Sequence, residues 1–467
     1  MVWDNDPGSA ILWRKGGHGT RLQHAAWQVV GPEGRAHAAQ IVESGHYWGH
    51  QYVRLAFIAD EVPAFGYALY TLKEGEAAAP KDGVRFTGPK GNCPYAPLEH
   101  LRIGMENGLI AMDIDPATGG IRSLRDMRRG LEIIDPNRPA GLLAFAMERP
   151  HGMTSWTVAE TGPAEFFEVK SIQRKATGPY LAQVETVLRH GDNLFTLLYE
   201  MRAGDPHLYL SLNGTWVERG NAERGVPVLR MLFPTAMAAA QGRYEIPFGA
   251  IDRTQRDGEE LPALQWAILR GKVRGKSAGL LLINDCKHGH SVCGDTLRLT
   301  LIRSSYDPDP LPEVGQHSVR LAVSPVVGEM PTADAIRRGN AFNHPLRVVS
   351  TDVHKGALAR QGAPLTITPS SLIITAMKKA EDEDALILRL FETAGRKTRA
   401  EIKLSEKFLG KCAAAMEVDL QEKPLQHSTA RVAGGCVTVD VPAYGLTSLL
   451  LMVDRRRQAA DNMNSIK

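Results

Sequence analysis

The chain has almost no net charge, few cysteines, no long apolar run and few windows of helical periodicity. Lys plus Arg number 55 and Asp plus Glu 52, a formal charge of +3, and the basic residues are spread along the sequence. A clustered basic stripe, the footprint of nucleic-acid binding, is missing, so a neutral ligand is the more natural partner. No stretch approaches the roughly 20 apolar residues that span a bilayer. The opening "MVWDNDPGSAILWRKGG" puts acidic residues where a secretory signal has basic ones. We therefore expect no membrane partner and a cytoplasmic location. The five cysteines (Cys93, Cys286, Cys293, Cys412, Cys436) are odd in number and unevenly spaced, which suits free thiols better than a disulfide framework.

What the sequence does have is punctuation. Among 467 residues, 45 glycines and 28 prolines divide the chain into short segments in which apolar and polar residues alternate. That pattern predicts an all-β protein of several domains. In "ENGLIAMDIDPATGGIRSLRD" Ile110, Met112 and Ile114 share one face, "DPATGG" turns the chain and "IRSL" returns. "VETVLRHGDNLFTLLYEM" reads as a second hairpin with His190-Gly191-Asp192 at its turn. Helix signals are brief: "PTADAIRRGNAFN" and "LSEKFLGKCAAAM", the latter expected to make two or three turns. A weak repeat, "DEVPAFGYALYTL" at 60–72 and "VDVPAYGLTSLLLMV" at 439–453, reads either as two unrelated strands that each begin after a Pro or as the closing strands of two small β-sandwiches. The expected organisation is a small N-terminal β domain (1–75), a linker (76–97), a large central β-sandwich (98–345) and a small C-terminal β-sandwich (346–467).

One segment carries chemistry-bearing residues at high density: "LLINDCKHGHSVCGDTLRLTLIRSSYDPDP", residues 281–310. Cys286, His288, His290 and Cys293 are ligand types that zinc accepts, but all four fall within eight residues leading into one strand. A continuous segment cannot easily wrap a tetrahedron around an ion. Half-buried thiols and surface imidazoles are the simpler reading. In the following strand, alternation puts Leu297, Leu299, Leu301 and Arg303 on one face. A guanidinium there must find a carboxylate or open at a cleft mouth. Asp307 and Asp309 are the nearby carboxylates. Trp156 and Trp266 are read as sandwich core, with sugar stacking as the alternative.

These stretches resemble, in one collinear order, the C-terminal β half of glycoside hydrolase family 38 α-mannosidases. They are "VPAFGYALYTL", "ENGLIAMDIDPATGGIRSLRD", "YEIPFGAIDRT" with "ELPALQWA", the 281–310 segment and "ALILRLFETAGR". The resemblance implies a central sandwich of the galactose-mutarotase-like type flanked by smaller sandwiches. It also implies retaining hydrolysis of α-linked mannose, in which paired carboxylates act about 5 to 5.5 Å apart. In the family those carboxylates and a zinc ion reside in an N-terminal barrel. No counterpart is identified in this sequence, whose one His-x-Asp is the hairpin tip His190-Gly191-Asp192. No catalytic residue and no metal ligand are therefore nominated, no cofactor is assigned to this chain, and zinc is expected in the missing domain. Arg303 matches a family arginine at the sugar-site rim, and His288 stands where the family's Lys-Tyr-Gly has its aromatic residue. Both are expected to bind substrate. The implied function is the non-barrel portion of an α-mannosidase, as a split subunit, a truncated product or an incompletely read gene. Its partners would be a mannose-containing oligosaccharide and a separate barrel subunit. The alternative is a stand-alone carbohydrate-binding or scaffolding β protein without catalysis.

Overall fold

The computed structural model describes residues 2–3, 22–48, 50–60, 62–88, 103–254, 259–309, 313–352 and 354–454. Cys93 lies outside them. Within them the protein is built almost entirely from antiparallel sheets. No helix among these residues is long and apolar enough to cross a membrane.

The centre is a sandwich of a six-stranded and a nine-stranded sheet. Alternation explains it. Through most of Leu181–His190, Asn193–Arg202 and Leu208–Trp216 every second residue is buried, and Val184, Leu197, Tyr199, Leu210 and Leu212 form one face of the core. Leu143, Phe145, Leu229, Met231, Leu297 and Leu299 of the six-stranded sheet close it from the other side. Each such side chain contributes about 1.5–3 kcal/mol by leaving water. Trp216 anchors the core, its indole N–H donating to Ser304 Oγ at 2.8 Å.

The opposite face of the nine-stranded sheet is also apolar, because the helix Thr332–Asn343 covers it. Ala335 and Ile336 pack with Trp266, Ile268, Leu281 and Ile283, and also with Ile373 and Phe391 of the C-terminal sandwich. Trp266 is thus core, as expected. The second expected helix is a single turn, Glu406–Leu409, because Gly410 ends it in a left-handed conformation. Cys412 then enters the strand Lys411–Val418. Two four-stranded sheets enclose the C-terminal core around Leu388, Ile402, Val439 and Leu449.

The N-terminal residues form a five-stranded sheet, and a further five-stranded sheet spans Arg85–Thr87 to Leu131–Glu132. Arg85–Thr87 lies in the stretch expected to be linker, yet it pairs with Ile103–Glu106 as an edge strand, since Val84 beside it is buried in the central core. The repeated Val-Pro-Ala-aromatic-Gly proves to be a turn. Pro63 O accepts from Gly66 N at 3.0 Å and Pro442 O from Gly445 N at 2.9 Å. The aromatic residue sits at positive φ in each, 56° for Phe65 and 50° for Tyr444, at the third position of the turn. Only the second copy leads into a long strand, Leu446–Asp454; the first leads into Tyr67–Ala68, which pairs with Gln361–Gly362.

Candidate functional site

The strands Leu142–Glu148, Val226–Pro234 and Thr296–Arg303 lie side by side in the six-stranded sheet. Their register shifts by one residue: Arg230 faces Thr300, whereas Leu229 faces Ile302 and Val228 faces Arg303. Leu301 is the extra residue of a β-bulge, and a bulge resets the alternation. Arg303 therefore does not share the face of Leu297 and Leu299, as strict period 2 predicted. It lies with Glu148, Arg230 and Thr300 on the sheet's outer face.

There Arg303 meets Glu148. Its Nε is 3.2 and 3.0 Å from the two carboxylate oxygens, and Nη2 is 2.7 Å from Oε2. Nη2 also donates to Thr157 O at 2.7 Å, and Nη1 to Thr154 O. The Glu148 side chain is fully buried and that of Arg303 is 16% exposed. Of the guanidinium's five N–H donors, these contacts occupy the Nε–H, both Nη2 hydrogens and one on Nη1, leaving one Nη1–H. The carboxylate is Glu148 and not Asp307 or Asp309. Asp307 is occupied elsewhere, Oδ2 accepting from Met153 N at 2.6 Å.

Two loops interlock above this pair. Buried Thr154 accepts through Oγ1 from Tyr306 N at 2.9 Å and Asp307 N at 2.8 Å. Tyr306 donates its hydroxyl to His151 O at 2.6 Å, and Ala159 N donates to Glu148 Oε1 at 3.0 Å. Residues 149–161 are thereby fixed over the sheet edge, and Trp156 at their crest is 69% exposed. The expectation that Trp156 is core is overturned: it lies on the outer side of a turn, its backbone N–H donating to Met153 O at 2.9 Å, and its side chain faces water. Beside this cluster Arg230 hydrogen-bonds Thr161 Oγ1 at 3.1 Å and pairs with Glu260 at 3.5 Å. Burial still pulls the Arg230 guanidinium below its ordinary pKa.

Antiparallel pairing sets the start of Gly289–Cys293 beside the end of Thr296–Arg303, so His288 and Arg303 flank the same end of the sheet. His288 is exposed, with Nδ1 at 3.1 Å from Ala263 O. The neighbouring Cys and His residues diverge. Cys286 is exposed as a residue, and partial desolvation of its thiol together with a hydrogen bond to Asp285 pushes it up to about 11. His290 is fully buried, and desolvation lowers it to about 3. Among the described residues no group of three or more His, Cys, Asp or Glu side chains is placed to hold a metal ion. His190 of the hairpin tip pairs with Glu165 at 3.0 Å and stacks on Phe145.

Sequence reasoning missed Glu148, although a signal existed. It closes an apolar strand just before Pro150, as Arg303 closes another before its own loop.

Models of known families match two parts of the chain: the glycosyl hydrolases family 38 C-terminal domain at residues 105–311, and the glycosyl hydrolases family 38 C-terminal beta sandwich domain at residues 371–444. Alpha-mannosidase 2C1 of Homo sapiens is 24% identical over 369 residues, which is 75% of this chain and 34% of the relative. Alpha-mannosidase G of Dictyostelium discoideum is 28% identical over 175 residues, 37% of this chain and 16% of the relative. The chain thus spans about a third or less of the curated relatives it matches. A solved α-mannosidase from Enterococcus faecalis V583 shares the fold, with a TM-score of 0.69 at 15% identity over 92% of this chain and 51% of that one.

Proposed function

Because this chain belongs to glycosyl hydrolase family 38, whose two C-terminal domain types it carries, we propose that it forms the carbohydrate-binding wall of an α-mannosidase site. The nucleophile, the acid/base carboxyl and the zinc would come from a barrel outside this sequence. The described residues do not fit a zinc ion, so no step is routed through one.

The observation that carries this reading is the Trp156 loop held rigid by Arg303. An exposed indole on a loop tied down by several hydrogen bonds suits stacking on the apolar face of a sugar ring. In this reading Arg303 is chiefly a positioning residue. It spends most of its donors on Glu148 and the loop carbonyls, and offers the one remaining Nη1–H to a sugar hydroxyl. His288, exposed at the same sheet end, would supply a second polar contact.

The test is turnover of a chromogenic α-mannoside by the purified chain, alone and mixed with a cognate barrel subunit. The proposal expects none alone and restored hydrolysis in the mixture, weakened by Arg303→Lys. Chelator-sensitive turnover by the chain alone would overturn it. Mannoside binding with no activity in any mixture would favour a stand-alone binding protein.

A further inference from the structure

A cavity separate from the Arg303 cluster lies between the turn at 203–207 and the helix Thr332–Asn343. It encloses about 520 Å³, and His207, Tyr209, Arg338 and Phe342 are among its lining residues. That volume suits a ligand of sugar or organic-acid size.

Its walls are fixed in advance. Asn107, 1% exposed, donates through Nδ2 to the carbonyls of Arg202 and Asp205, both at 2.7 Å, which pins the turn. Asp205 then gathers three donors: His207 Nδ1 at 2.6 Å, His207 N at 2.9 Å and the Tyr209 hydroxyl at 2.7 Å. Burial pushes the Asp205 carboxyl up, but these bonds outweigh it and hold the group below the usual carboxylate range. The Tyr209 ring lies under the Arg202 guanidinium at 3.9 Å and is stacked with Phe342, centroids 6.0 Å apart.

Two groups are left over. His207 spends Nδ1 on Asp205, while its buried Nε2 has no hydrogen-bond partner. Arg338 makes one long hydrogen bond, Nη1 to Ser324 Oγ at 3.4 Å, and forms no ion pair within the described residues. Its neighbour Arg337, also lining the cavity, is paired with Asp334 at 2.8 Å. A guanidinium set beside a cavity with most of its planar fork unused is suited to phosphate or carboxylate oxygens. An Nε2 of fixed tautomer can donate to such an anion as imidazolium, or accept from a ligand hydroxyl when neutral.

We propose that this cavity binds a small molecule bearing a phosphate or carboxylate group, with the anion on Arg338 and His207 Nε2 and the apolar body against Tyr209 and Phe342. The site would let the β half sense a charged metabolite or hold a charged end of a ligand, independently of the mannose wall.

The experiment is calorimetric titration of the full chain with inorganic phosphate and, separately, citrate, with mannose as the uncharged control. At least one anion should bind with one-to-one stoichiometry and mannose should not compete for it. Arg338→Gln should weaken that binding at least tenfold, whereas Lys276→Gln, which removes an equal charge from the exposed start of a strand, should not. Phosphate alone binding identifies a phosphate site and citrate alone a carboxylate site. Should Arg338→Gln fail to fold, Arg338→Lys serves instead, since it keeps the charge but loses the planar fork and should still weaken the binding. No binding of either anion at 10 mM, or equal binding by Arg338→Gln, would overturn the assignment.

Discussion

Arg303 and Glu148 stand 155 residues apart, yet Nε and Nη2 of one converge on Oε2 of the other at 3.0 and 2.7 Å. The pair ties the ends of the two strands that flank Val226–Pro234 to the loop that crosses them. Because Glu148 has no exposed surface in the folded protein, removing Arg303 leaves a buried carboxylate without its main counter-charge. Arg303→Met should therefore cost about 3–5 kcal/mol, and the combined Arg303→Met, Glu148→Gln variant should lose less than the two single losses summed. Urea unfolding of the four proteins measures this. A single-variant loss below about 1 kcal/mol would show that the pair is solvated and weak.

Trp156 makes the opposite prediction. With its side chain mostly in water, Trp156→Ala should leave the melting temperature nearly unchanged, within the roughly 0.5 kcal/mol typical of surface sites. Mannoside binding, followed by intrinsic fluorescence or calorimetry, should fall about tenfold, in keeping with loss of one stacking face. Unchanged affinity would remove Trp156 from the sugar wall.

Gly225 controls the backbone behind the pair. At φ 98° it holds a conformation that L side chains rarely adopt, and a Cβ there would overlap the carbonyl oxygen of Glu148. Gly225→Ala should destabilise by about 2 kcal/mol or more. It should also speed proteolysis of the 149–161 loop, since the strand end carrying Glu148 must move. Protease resistance equal to that of the parent protein would argue that the contact relaxes without consequence.

His290 supplies a pH dependence. The unfolded imidazole titrates near 6.5, while burial, helped by neighbouring His288, holds the folded one down to about 3. Below about pH 6.5 the unfolded chain takes up a proton that the folded chain refuses. Stability from this group is thus complete above that value and falls as pH drops toward 3, at about 1.4 kcal/mol per unit. Between pH 6.5 and 5 the parent should lose about 2 kcal/mol more than His290→Gln. Parallel pH profiles for the two proteins in denaturant unfolding would show that the ring charges without cost.

The outlines of the fold were legible because alternation is a local property. Ile110, Met112 and Ile114 declare their common face within five residues, and the turn at 115–120 follows directly. Arg303 shows where local reading stops. Period 2 assigns it to the core face, but the register shift at Leu301 depends on the partner strand, and nothing in "LRLTLIRSS" records it. The single-turn Glu406–Leu409 helix is a similar case, since "KCAAAM" has helical propensity and the sheet bonds offered by Leu446–Asp454 override it.

From the sequence alone come the all-β class, the hairpins, the strand that ends in Arg303 and the resemblance to a family, because short-range patterning and residue order are written along the chain. The partner of Arg303, the exposure of Trp156 and the meeting of His207 with Arg338 depend on segments more than a hundred residues apart. Such encounters are selected only when whole sheets bury their apolar faces and every enclosed charge must find a counterpart.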